Sequence, residues 1–286
     1  MEPTGIEALQ EGDILLMMGD GPLSELIAWA SDGIYSHAAI VVDGGELIEA
    51  SLGGVRRYPL ERRIVEFDHF HFIDAWRTHD GQGAPFAVAD CGLVRRHAQD
   101  LLGAPYPVDQ LALLGVVMAV RGKWPKHALL RKLVWMAMDR ALPAESPAMV
   151  CSEVVYRAWA ECAAEPRGRL APRIVESERG TAAFPAIDWK RLYEEIGPLL
   201  GLPPPSAQGA RGASAGTLLA SADEVPDELL EQARQRLLAG LDGQLLARTA
   251  GTRAAAHHPN PRLVSPQDLA NSPSTTRLGR LMQRAG

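Results

Sequence analysis

Hydrophobic and polar positions in the first 200 residues fall into two spacing classes. Tyr35 to Val42 alternates and is rich in β-branched residues, which predicts a strand. Glu46 to Ser51 reads as its partner across Asp43-Gly44-Gly45. His69 to Trp76 is a third strand candidate. Helical spacing appears over Leu23–Ala30, over Pro85–Gly103 with Pro at its entrance and Gly at its exit, and over Val150–Ala163, where Val154, Val155, Ala158, Trp159 and Cys162 share one face. Val108–Val120 and His127–Leu142 are also helical and more apolar than surface helices usually are. Strands early and helices late predict an α+β fold, an antiparallel sheet packed against helices.

The pattern changes near residue 200. Beyond it there is no Lys, Trp or Tyr, and Ala, Gly, Pro and Ser crowd Pro203 to Ala222. So few large apolar groups cannot offset the ordering entropy, which makes 201–224 a flexible linker. An amphipathic helix is expected within 225–243, carried by Leu229, Leu230, Ala233, Leu237, Leu238 and Leu241. In the tail, 244–286, the stretch around Thr252–Pro261 reads as mobile. Ser265 and Pro266 then form a helix start, with 262–286 a candidate to pack back on the domain formed by 1–200.

Composition narrows the function classes. The net charge is −6, divided as −8 before position 201 and +2 after it, with no block of Lys or Arg, so nucleic acid is not an expected partner. Leu111–Val120, the longest apolar run, has ten residues, about half of what a bilayer span needs, so no transmembrane segment is expected. Three cysteines cannot staple a chain of 286 residues. The acidic start lacks the basic region of a signal peptide. A cytoplasmic location is the default, with export by a signal-independent route left open.

Cys91 lies mid-helix and Cys162 on an apolar helix face, so both read as small buried hydrophobes. Cys151 follows the helix-breaking Glu145-Ser146-Pro147-Ala148 and opens an amphipathic run. A thiol there meets the positive end of the helix dipole and unpaired N–H groups, which favour a thiolate and could hold an oxyanion. His37, where the apolar strand emerges, is the candidate base. Glu49 is a carboxylate inside the otherwise apolar Leu47-Ile48-Glu49-Ala50, and burying it is costly unless something pairs with it. A three-residue loop over Asp43-Gly44-Gly45 would set Val42 against Glu46 and Ala39 against Glu49, turning His37 and Glu49 to one side. A two-residue loop would put them on opposite sides.

The order GDILL (12–16), short helix, YSHAAIVVD (35–43), LIEA (47–50), helical region, VCSEVVY (150–156) resembles the circularly permuted branch of the NlpC-type papain-like superfamily, with its YiiX-like and lecithin:retinol acyltransferase-like members. The resemblance covers roughly residues 11–160. It implies a permuted papain-like fold with a helical insertion at about 104–142, Cys151 as nucleophile, His37 as general base and Glu49 as the group that orients it. The acyltransferase relatives carry a second histidine where this chain has Glu49, as YiiX-like members do. SPQDLANSP (265–273) resembles a closing element of some relatives, which would make 203–258 an insertion. Tyr35, two residues before His37 on one strand face, and Ser152 are candidate oxyanion or substrate-binding groups.

Two further motifs weigh little. Gly212-Ala213-Ser214-Ala215-Gly216 matches a serine-hydrolase pattern but lies in the linker, without the strand and helix that motif requires. His69 and His71 lack a convincing third metal ligand; no metal or other cofactor is expected. Between Leu111 and Leu142, Arg121, Lys123, Trp124, Lys126, Arg131, Lys132 and Trp135 stand beside a broad apolar face, a pattern that suits peripheral membrane contact through 111–138. The expected activity is therefore thiol hydrolysis or transfer of an acyl group, with a lipid-like substrate favoured. A peptidase or amidase acting on cell-wall peptides is the alternative, and a non-catalytic membrane- or protein-binding module is the rival from another class.

Overall fold

The computed structural model of the chain describes residues 3–51, 54–104, 109–140, 150–175, 180, 182–196, 225–249 and 259–285. The linker at 201–224, its Gly-Ala-Ser-Ala-Gly motif and residues 250–258 lie outside the described residues. The described elements are β1 (Ile14–Gly19), α1 (Pro22–Ala30), β2 (His37–Val42), β3 (Glu46–Ser51), β4 (Gly54–Pro59), α2 (Leu60–Arg63), β5 (Phe70–Thr78), α3 (Val88–Asp100), α4 (Asp109–Arg121), α5 (Ala128–Arg140), α6 (Cys151–Ala160), α7 (Trp189–Ile196), α8 (Asp227–Thr249), α9 (Pro266–Asn271) and β6 (Thr275–Gln283). The six strands form one sheet in the order β4-β3-β2-β1-β5-β6, with every neighbouring pair antiparallel. The molecule is α+β.

Side chains alternate across a strand, so the sheet serves two cores. On one face Ile14, Leu16, Ala38, Ile40, Val42, Ile48 and Ala50 meet the helices, including Val154, Val155, Ala158 and Trp159 of α6. On the other, Leu15, Met17, Ala39, Val41, Leu47, Phe70, Ile73, Ala75 and Met282 form a smaller core with Leu60 of α2. The central strand β1 is apolar on both faces for this reason.

The β2–β3 turn fixes the register. Asp43, Gly44 and Gly45 make a single tight turn in which Gly44 (φ 70°) and Gly45 (φ 72°) take left-handed backbone that a side chain would strain. Val42 then pairs with Glu46 and Ile40 with Ile48, the register of a three-residue loop.

Segment 111–138 packs against neighbouring helices. Leu113, Leu114, Val117 and Met118 of α4 and Leu130, Leu133, Val134 and Met138 of α5 are buried, packed among α1 and α8. Arg121 pairs with Asp268 at 2.6 Å, Lys123 with Asp32 at 2.7 Å, and Arg131 with Asp227. Cations tied to carboxylates beside buried apolar stripes are features of packed helices. Among the described residues, no helix is long and apolar enough to cross a membrane.

The C-terminal segment returns to the sheet. Ser265 caps α9 through Asp268 (Ser265 N–H to Oδ2, 2.9 Å), with Pro266 at its first position, and β6 adds the sixth strand beside β5. The return of this segment closes the helical core over α6, where Tyr156 is buried and its hydroxyl has no hydrogen-bond partner among the described residues. An unpartnered buried hydroxyl costs about 1–3 kcal/mol, so Tyr156→Phe should leave the protein equally or more stable in urea unfolding. A clear loss of stability would show that the hydroxyl has a partner after all.

Candidate active site

Three elements converge on the sheet end where β2 begins. α6 packs on β2 and β3 and starts at Cys151, with Val150 in extended backbone as its cap. Glu153, three residues on from the cap, accepts a hydrogen bond from the Val150 N–H at 3.3 Å, fixing the first turn. Cys151 is 1% exposed and thus enters the site from the helix start, where backbone N–H groups have no intrahelical acceptor.

His37 opens β2 opposite Met17 of β1, and its ring lies stacked near Phe70, 6.2 Å between centroids. Its Nε2 is 2.9 Å from Oε2 of Glu49. Cys151 lies close enough to His37 for its charge to act on the ring. The three residues singled out from sequence therefore lie in one neighbourhood, the imidazole bonded to the carboxylate and the sulfur near the ring.

The electrostatics around the ring favour a charged imidazole. Burial works against a charged His37, but the Cys151 charge and hydrogen bond, followed by those of Glu49, outweigh it and raise the imidazole to about 9. Burial likewise disfavours the Glu49 carboxylate, yet His37, Arg63 and Arg56 pull it down to about 2. Cys91 and Cys162 contrast with this arrangement: both are buried, and burial pushes their thiols up.

Two other sequence candidates are engaged elsewhere. The Tyr35 hydroxyl donates to Oδ2 of Asp74 at 2.8 Å inside the core, and Ser152 donates to the carbonyl of Val264 at 2.7 Å. Both hydroxyls are buried and tie neighbouring elements together. His71 is held between Asp20 (3.1 Å) and Arg284 (2.7 Å to Nδ1). Among the described residues, no group of three or more His, Cys, Asp and Glu side chains is placed to hold a metal ion.

Sequence reasoning missed the groups behind Glu49. Arg56, directly across from it on β4, donates to Oε1 through Nε (3.1 Å) and Nη2 (2.9 Å), and Arg63 of α2 donates to the same oxygen. The signal was present: a buried carboxylate requires cations, and arginine pairs occur at 56–57 and 62–63. A second missed cluster lies one turn behind the thiol, where buried Glu153 pairs with Arg157 at 2.7 Å.

No protein-family model matches this chain, and no curated protein matches it. Among solved structures it is similar to one described as the metalloprotein YiiX from Escherichia coli O157:H7, at 17% identity and a TM-score of 0.41, over 96% of this chain and 98% of that one.

Proposed function

We propose that this protein is a thiol hydrolase of the permuted papain-like kind, cleaving an acyl bond through Cys151. The observation that carries the reading is the buried line Cys151–His37–Glu49 at a helix start. His37 takes the thiol proton and the sulfur attacks the acyl carbonyl carbon. The oxygen of the tetrahedral intermediate takes the negative charge beside the N–H groups that open α6. His37 passes its proton to the leaving alcohol, thiol or amine as the C–S thioester forms. Water, deprotonated by His37, then attacks that thioester, releasing the acid and restoring the thiol. Glu49 keeps the ring oriented and stabilises its charged form throughout.

A lipid-like acyl ester is the favoured substrate, and cell-wall peptides are the alternative. Incubation with phospholipid vesicles and, separately, with cell-wall fragments, followed by mass analysis of products, assigns one or the other. The thiol chemistry has a test that needs no substrate. Iodoacetamide at pH 7 should modify Cys151 faster than a free model thiol and leave Cys91 and Cys162 unmodified in the folded protein. A Cys151 rate no higher than that of the model thiol removes the proposed nucleophile and favours a binding module.

A further inference from the structure

Glu49 has two oxygens with different tasks. Oε2 accepts from His37, while Oε1 receives Arg56 and Arg63 together. The two arginines differ in how firmly they are held. The Arg56 side chain is 44% exposed, whereas that of Arg63 is 6% exposed. The Arg63 guanidinium lies 4.3 Å from the ring centre of Tyr58 and 5.0 Å from that of Phe70, the ring that also stacks near His37. Its second arm donates to Glu66, which in turn accepts from the Tyr58 hydroxyl. A guanidinium fixed on two faces and at both arms can hold a carboxylate in one orientation, which a lysine ammonium cannot do.

We propose that Arg63 is a positioning residue for the imidazole: clasped by Tyr58, Phe70 and Glu66, it anchors Oε1 of Glu49 so that Oε2 stays aimed at His37. The inference rests on the thiol chemistry proposed above. The ionisable groups facing the line are Cys151 from α6, Arg56 and Tyr58 from β4, Arg63 from α2, and Glu66 beyond it. Loss of Arg63 acts on the sulfur through Glu49: a carboxylate that is no longer aimed supports the imidazolium less well, the thiolate becomes harder to form, and the acid limb of its reactivity should move upward.

The test is the pH dependence of Cys151 alkylation by iodoacetamide, with each variant checked by thermal unfolding. In Arg63→Met the acid limb should rise by about one pH unit, a roughly tenfold slower reaction at a fixed pH below it. Arg63→Lys, which keeps charge and volume, guards against a fold that does not survive the larger change. It should shift the limb less and in the same direction. Arg56→Met should have a smaller effect than Arg63→Met, because a half-exposed cation is screened by water. In a Glu49→Gln background, Arg63→Met should add nothing. A folded Arg63 variant whose profile superimposes on the wild type overturns the proposal, as does full additivity with Glu49→Gln. A wild-type protein whose Cys151 is no more reactive than a model thiol overturns the thiol reading instead, so the two failures are told apart.

Discussion

Replacing Cys151 with alanine is expected to reduce turnover by at least about 10⁴-fold while leaving a folded protein, because the atom proposed to form the acyl intermediate is removed. His37→Ala should cost a comparable factor. Since thiol and base act as one unit, the double variant should be scarcely worse than either single one. The imidazole sets the alkaline side of the wild-type profile. His37 is held up to about 9 by Cys151 and Glu49 against burial, so the protonated ring needed to expel the leaving group is lost as pH rises through that value. Glu49→Gln removes one of the supports, and the alkaline fall should move to lower pH. The measurement is kcat/KM against pH on whichever substrate the product assay identifies. Undiminished turnover by the folded Cys151→Ala protein eliminates this site as the catalytic one.

The largest stability effect is expected far from the sulfur, at Asp74. This carboxylate is 1% exposed and accepts from the Tyr35 hydroxyl at 2.8 Å and from Arg280 Nε at 2.7 Å, with Arg277 Nη2 also at 2.7 Å. Removing one member of such a buried group strands the others without their counter-charge, at a cost of about 3–5 kcal/mol. For a chain of this size Asp74→Ala should therefore melt roughly 10 °C below the wild type. The sign of the pH dependence follows from the carboxyl itself. Burial would raise it, but Arg280, Arg277 and Tyr35 hold it below its ordinary value. A carboxyl depressed on folding stabilises above the unfolded value of about 4, and that contribution is lost as pH falls through the lower, folded value. Hence the difference between wild type and Asp74→Ala, read by thermal unfolding, should be full at pH 7 and shrink in strong acid. A difference that stays constant across that range would mean that Asp74 acts by packing and not by charge.

How much of this was legible follows from what each residue faces. The β2–β3 pair could be read because Asp43-Gly44-Gly45 marks a turn, but the loop length that sets the register was decided only by the structure. Helix α6 could be read because its apolar positions keep helical spacing up to a break. Three strands could not. The residues of β1, Ile14–Gly19, are buried on both faces and show no alternation. The edge strand β4 reads as Val-Arg-Arg-Tyr, polar because Arg56 and Arg57 reach carboxylates. In β6 the pairing register shifts twice against β5, and two of its arginines point inward at Asp74, so periodicity and polarity both mislead. The same limit hid what α4 and α5 pack against. Apolar faces and cations are visible in sequence, but the helices and carboxylates that cover them are not. Arg63 escaped notice for that reason as well, since its role exists only once β4 and α2 have brought it to Glu49.

The placement of β6 also bears on how the chain reaches this state during synthesis. About two hundred residues separate β5 from the strand that pairs with it, a span that makes this the slowest kind of contact to form. At ordinary ribosomal speeds β5 waits roughly 10–40 s with an open edge, and Asp74 waits with it, before the arginines that neutralise it emerge. Val264, whose carbonyl receives Ser152 beside the sulfur, arrives in the same late stretch of chain. A nascent chain paused before that point would leave the start of α6 without this fastening.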